Sequence, residues 1–253
     1  MDSTCIVFVT NIHYFNKFIE TCTQLLTNGN YKGDICLVIG DDLKDIAVDQ
    51  VPFIYTNNII IKYFPDIKFD DNFTRINTVI DSDGRNIHKK FQWHKLHLFN
   101  TFFKKWNYIF YIDCGMTIFS DVQPIIDEKT KNTLLAHSDA YPTYEWKLSI
   151  QFCKRNVEYY TKLNSTYKLE IDYFQTGIML YDTSIIEDTT FQDLYNLSLE
   201  YPISRTNEQG ITALYFTNIK PLWKQLKIKN NETYLYDARK RDESYKYIIN
   251  KCI

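Results

Sequence analysis

The chain has 253 residues, a net charge of −2, 45% hydrophobic residues and 24% charged residues. This is enough chain for one α/β domain with a large core, in an ordinary globular composition. The lack of a basic excess argues against a nucleic-acid partner, and no run approaches the ~20 apolar residues of a membrane helix.

The start, MDSTCIVFVT, has no basic n-region and reads as a first strand rather than a signal peptide. Cys5, Cys22, Cys36, Cys114, Cys153 and Cys252 form no CxxC pair or metal-finger spacing. They read as reduced thiols, and the expected location is cytoplasmic. The Asn-x-Ser/Thr sites at Asn72, Asn164, Asn196 and Asn231 then read as chance matches in an Asn-rich chain. The 16% aromatic share reads as codon bias and carries no functional weight.

Cys5 to Thr10 is a short apolar run, the pattern of a buried strand. Phe15 to Leu26 carries apolar residues at helical spacing, and Gly29 follows as a stop. Ile35 to Ile39 is a second buried strand, ending in Gly40-Asp41-Asp42. Pro52 to Thr56 reads as a third, shorter strand. Strand, helix, strand, strand points to a parallel sheet with right-handed crossovers.

Asn57 to Arg85 reads as irregular, and Ile87 to Trp106 as helical in its second half. Tyr108 to Ile112 is a buried strand of aromatic and β-branched residues, ending at Asp113-Cys114-Gly115. Asp121 to Pro124 starts a turn or short helix. Thr133 to Ala136 is another strand, ending at His137-Ser138-Asp139. Tyr144 to Leu163 reads as one or two helices, Tyr173 to Tyr181 as a strand with Gly177 inside it, and Thr190 to Leu199 and Glu208 to Phe216 as helices. There is no internal repeat and no linker, so 1–253 reads as a single domain.

Asp113 is the most informative residue. In open α/β sheets, ligands bind outside the carboxyl ends of the strands, where a carboxylate can hold a metal ion or a polar ligand. An Asp there also caps turns. Asp81-Ser82-Asp83 ranks below it, because no strand precedes it and DSDG is a common turn composition.

Three segments follow in order: YIFYIDCG, then FQTGIML, then Glu208-Gln209. This order resembles the GT-A glycosyltransferases, in particular the family of glycogenin-like and bacterial galactosyltransferases. Those enzymes have a strand ending in Asp-x-Asp, a strand of the type Phe-Asn-small-Gly, and a helix opening with Asp-Gln. The resemblance covers roughly residues 4 to 220. It implies a GT-A-like Rossmann-type α/β sandwich, with a mainly parallel central sheet flanked by helices. It also implies transfer of a sugar from a nucleoside diphosphate donor, a UDP-sugar, to a glycan or protein acceptor.

The resemblance implies Asp113 and Glu208 as catalytic residues. It implies Thr10, Asn11, Asp41, Lys95, Asp113, Cys114 and Gly115 on the nucleotide and donor side. His137, Gln175, Thr176, Gly177 and Glu208 would form the sugar and acceptor pocket. The implied cofactor is Mn²⁺ or Mg²⁺ on Asp113. Two carboxylates plus diphosphate oxygens and water suit a hard cation, but Gly115 stands where the family has the second acid. The metal is then held more weakly, completed by another residue, or absent. In the last case basic groups such as Lys95, Lys89, Arg85 or Arg239-Lys240-Arg241 must neutralise the diphosphate.

Two other readings compete. A sugar-phosphate nucleotidyltransferase would carry a Gly-rich phosphate loop after the first strand, where TNIHYFN has no Gly. A degenerate protein that binds a nucleotide or glycan without turnover is kept alive by Gly115.

Overall fold

The computed structural model describes residues 2–78, 80, 87–139, 146–226 and 248–251. Its strands are β1 Thr4–Thr10, β2 Asp34–Ile39, β3 Ile60–Tyr63, β4 Tyr108–Ile112, β5 Met116–Ile118, β6 Leu134–Ser138, β7 Phe174–Asp182, β8 Trp223–Gln225 and β9 Ile249–Lys251. The α-helices are α1 Phe15–Thr27, α2 Pro52–Thr56, α3 Asp71–Thr78, α4 Gln123–Ile126, α5 Val157–Thr166, α6 Thr190–Glu200 and α7 Glu208–Leu214.

Seven strands form one sheet in the order β3-β2-β1-β4-β7-β6-β8. Only β7 runs against the others: it pairs antiparallel with β4 and β6, and the remaining pairs are parallel. Alternate residues feed two cores. Val7, Val38, Tyr111 and Met179 face one layer, with Trp93, Leu96 and Phe99. Ile6, Leu37, Phe110 and Leu180 face the other, with Phe18, Cys22 and Leu25 of α1. Both faces of the sheet are covered, so its strands read as unbroken apolar runs.

The stretch 57–85, read as irregular, contains β3 and α3. Two further expectations change. Pro52–Thr56 is the helix α2, and the third strand lies further on at Ile60–Tyr63. Pro52 occupies the first turn, where its missing N–H costs nothing and its fixed φ suits a helix. The other difference concerns Ile87–Phe99, which is a 3₁₀ helix followed after Asn100 by a second one, Thr101–Lys105. Every residue from Trp93 to Phe99 is buried. This segment runs through the interior and has no solvent face, which is how a lysine, Lys95, comes to be inside the protein.

α1 is fastened to β5 by side chains. The Thr21 hydroxyl donates to the Met116 carbonyl at 2.8 Å, the Asn28 amide donates to the Ile118 carbonyl at 2.9 Å, and the Ile118 N–H donates to Gln24 Oε1 at 3.0 Å. β5 also pairs antiparallel with β9. Asp81, Asp83, Arg85 and Arg239-Lys240-Arg241 lie outside the described residues, as does the Lys89 side chain. Among the described residues, no helix is long and apolar enough to cross a membrane.

His97 gives a pH test of this packing. Its ring stacks between Phe64 and Phe191, at 4.5 and 4.6 Å. Burial first, and then the neighbouring His94, hold its pKa down at about 3 against an ordinary 6.5. Between those values the unfolded chain binds more protons than the folded one. Stability is therefore full above pH 6.5 and falls as the pH drops through this window. Replacing His97→Phe should flatten the fall of the urea midpoint between pH 6.5 and pH 4, which equilibrium unfolding would read.

Candidate active site

The site is built at the carboxyl ends of β1 and β4, which lie side by side in the sheet. Polar residues follow both strands there, Thr10-Asn11 and Asp113-Cys114-Gly115. A cavity opens between them, lined among others by Thr10, Asn11, Lys95, Tyr111, Asp113 and Gly115. The chain turns away at Gly115 with φ +90, a conformation that glycine alone adopts readily. The Gly115 N–H donates to the Thr21 hydroxyl at 3.1 Å, tying the turn to α1.

The centre of the site is one lysine between two acids. Lys95 Nζ lies 2.9 Å from Asp113 Oδ1 and 3.0 Å from Glu208 Oε1. Three separate elements supply these groups: the buried 3₁₀ helix, the end of β4 and the first residue of α7. Burial pushes the Lys95 pKa down, but the charges of Asp113 and Glu208 outweigh it, so the ammonium stays charged and its pKa is raised. Burial pushes the Glu208 carboxyl up, opposed by Lys95. Glu208 Oε2 is buried with no hydrogen-bond partner among the described residues.

The neighbours hold this arrangement in place. Tyr111 donates its hydroxyl to Asp113 Oδ1. Burial and the Asp113 charge keep that phenol protonated. The Asp113 N–H donates to the Gly177 carbonyl at 2.8 Å. A Cβ on Gly177 would stand 3.0 Å from Met116 Cε and 3.3 Å from Asp113 Oδ2, so glycine gives the carboxylate room beside β7. Thr176 Oγ1 donates to Glu208 Oε1 at 2.9 Å. The Cys114 thiol is pushed up by burial and by Asp113, stays protonated, and donates to the Val9 carbonyl at 3.3 Å.

A second polar group lies at the end of β6. Asp139 accepts from the Tyr173 hydroxyl and, at 2.5 Å, from the Gln175 amide. A chain of hydrogen bonds joins it to the first group. The Gln151 amide donates to Tyr173 Oη at 2.8 Å, and the Gln209 amide donates to Gln151 Oε1 at 3.2 Å. The Thr176 N–H then donates to Gln209 Oε1 at 3.3 Å.

The structure thus brings together Thr10, Asn11, Lys95, Asp113, Cys114, Gly115, Thr176, Gly177 and Glu208, with Gln175 joined through that chain. It does not bring in Asp41, which is exposed and turned to the Tyr63 hydroxyl at 2.5 Å and the Asp66 N–H at 3.2 Å. His137 is buried inside β6, which continues to Ser138 rather than stopping short of it. Sequence reasoning missed Tyr111, Gln151 and Gln209 as parts of the site. Tyr111 reads as one more strand aromatic, and nothing in its spacing marks the hydroxyl.

The described residues do not form a site for a divalent metal ion. Asp113 Oδ1 is taken by the Lys95 ammonium and the Tyr111 hydroxyl, and Gly115 offers no side chain. No three His, Cys, Asp or Glu side chains converge among the described residues.

No protein-family model matches the sequence, and no curated protein does. Solved structures do. The chain is similar to the galactosyltransferase LgtC in complex with donor and acceptor sugar analogues, with a TM-score of 0.58, 12% identity, and coverage of 98% of this chain and 86% of that one. The fold is the GT-A glycosyltransferase fold. A second GT-A structure, mouse xyloside xylosyltransferase 1, is similar at a TM-score of 0.52 and 10% identity, covering 99% of this chain and 97% of that one. A third, core-mannan synthase A from Aspergillus fumigatus in its Mn/GDP form, matches at a TM-score of 0.52 and 10% identity, covering 89% and 73%.

The central lysine makes a stability prediction. Removing one partner of a buried ion pair leaves the other charge unpaired. Lys95→Met would leave two carboxylates facing each other and should cost about 3 kcal/mol, the low end of the usual range because Asp113 is about one-third exposed. Glu208→Gln keeps the Lys95–Asp113 contact and should cost clearly less. The double variant should recover part of the Lys95→Met loss. Denaturant midpoints of the three proteins check the order.

Proposed function

We propose that the chain is a glycosyltransferase, moving a sugar from a UDP-sugar to a hydroxyl group of a glycan or protein acceptor. The observation that carries this reading is Lys95 held between Asp113 and Glu208 at the wall of a cavity beyond β1 and β4. A fold that ends its parallel strands at one edge places ligands there, and this chain brings Lys95, Asp113 and Glu208 together at that edge.

In this reading the nucleoside lies against Thr10 and Asn11, and the diphosphate crosses Cys114 and Gly115. The sugar reaches toward Thr176, Gln175 and Glu208. The bond between the anomeric carbon and the diphosphate oxygen breaks, UDP leaves, and the acceptor oxygen bonds to that carbon as its hydroxyl proton passes to the departing diphosphate. Positive charge grows on the sugar as the bond lengthens. Two carboxylates against one ammonium leave one negative charge nearby, and preorganised charge of that sign lowers the barrier. Glu208 Oε2, buried without a partner, has an open lone pair for a sugar hydroxyl. Asp113 and Glu208 are the catalytic residues of this proposal, and Lys95 holds them in register.

Gly115 favours a second reading, a protein that binds the nucleotide or glycan without transferring sugar. The enzymatic reading and a nucleotide-binding form of the second both predict that UDP raises the melting temperature more than ATP or NAD does; no response to any nucleoside diphosphate would remove both and leave a glycan binder. Release of UDP from UDP-sugars, followed with and without acceptor, separates the two. Under the enzymatic reading, Asp113→Asn should lower turnover on the order of 10²-fold or more while circular dichroism stays native. Near-normal activity in that variant would show that Asp113 is not the acid on which the chemistry depends.

A further inference from the structure

Lys17 lies in the first turn of α1, where the helix has no acidic residue. A cation there opposes the positive end of the helix dipole. The side chain is exposed, and among the described residues it has no carboxylate partner. Its ammonium lies 5.2 Å from the centre of the Tyr14 ring, at the rim of the same cavity. Lys17 lines the cavity and has no anion beside it among the described residues.

The placement relative to Gly115 is specific. A Cβ built on Gly115 would stand 3.5 Å from Lys17 Cδ. The lysine stem thus runs beside the place a second acid of an Asp-x-Asp motif would start from. The backbone there, with φ +90, disfavours any such side chain. Lys95 cannot take over the role of counter-charge, because two carboxylates already surround it and their sum is one negative charge. A diphosphate arriving at this wall meets a net negative cluster on one side and Lys17 on the other.

We propose that Lys17 is the diphosphate-binding group of the donor site. Its ammonium replaces the divalent ion that a second carboxylate at position 115 would otherwise hold. This inference rests on the glycosyltransferase reading above. Nucleoside diphosphate binding should therefore not need a metal ion.

Calorimetric titration with UDP and with uridine tests this, on the wild-type chain and on Lys17→Gln and Lys17→Arg. The wild type should bind UDP in excess EDTA, with an affinity that Mn²⁺ changes by less than about threefold. A charge-assisted hydrogen bond corresponds to about tenfold or more in affinity. Lys17→Gln should lose UDP affinity by that factor and Lys17→Arg should retain most of it. Uridine, which lacks the diphosphate, should bind all three proteins alike, and the Lys17→Gln melting temperature should not fall.

UDP binding that vanishes in EDTA and returns with Mn²⁺ would overturn the proposal and leave the glycosyltransferase reading standing. So would equal UDP affinity in Lys17→Gln and wild type, or equal loss of UDP and uridine, which would mark Lys17 as structural. A wild type that binds UDP under neither condition would overturn both readings together.

Discussion

The contact of Lys95 with Asp113 and Glu208 is the constraint around which this protein is arranged. A buried ammonium is costly unless its charge is matched, and here two acids from distant parts of the chain match it. Satisfying it fixes the end of β4, the start of α7 and the buried 3₁₀ helix relative to one another. Glycine at position 177 leaves room for Asp113 beside β7, where a Cβ would crowd its carboxylate at 3.3 Å. The phenol of Tyr111 and the hydroxyl of Thr176 then supply the remaining hydrogen bonds. Each of these residues makes sense only given the lysine.

Such clusters are poor stabilisers compared with packed apolar side chains of the same volume. Perturbed ionisable groups gathered at a cavity wall are a functional signature for that reason. The neighbouring polar chain from Asp139 through Tyr173, Gln151 and Gln209 to Thr176 extends the same economy. Every member has a partner, which is the condition under which a buried network rigidifies a fold.

Much of the fold was readable from the sequence. Strands buried on both faces write themselves as unbroken apolar runs, so β1, β2, β4 and β7 were plain. Pro52–Thr56 was misread because a run of five residues has no period long enough to separate helix from strand. The 3₁₀ helix had no amphipathic signature, since all its residues from Trp93 to Phe99 are inside. The site was legible where chemistry sits at strand ends, as with Asp113, and where a helix opens, as with Glu208. Glu208 opens α7, where the helix dipole favours an acid, and the structure gives it a buried ammonium as well. Pairings such as Lys95 with Glu208 join positions 113 residues apart, and no local spacing records them. Asp41 shows the reverse limit: an acid after a strand that serves the neighbouring turn through Tyr63 and Asp66.

The fastening of β5 has a consequence for how this protein meets other copies of itself. A strand with a free row of amides and carbonyls is a template for another chain. β5 lies outside the main sheet and is three residues long, which already limits the edge it offers. β9 takes one of its edges. Thr21, Gln24 and Asn28, spaced along one side of α1, meet the backbone groups of the other. Thr21, which also holds the turn at Gly115, thus helps close a seam where intermolecular strand pairing, and with it aggregation, would begin.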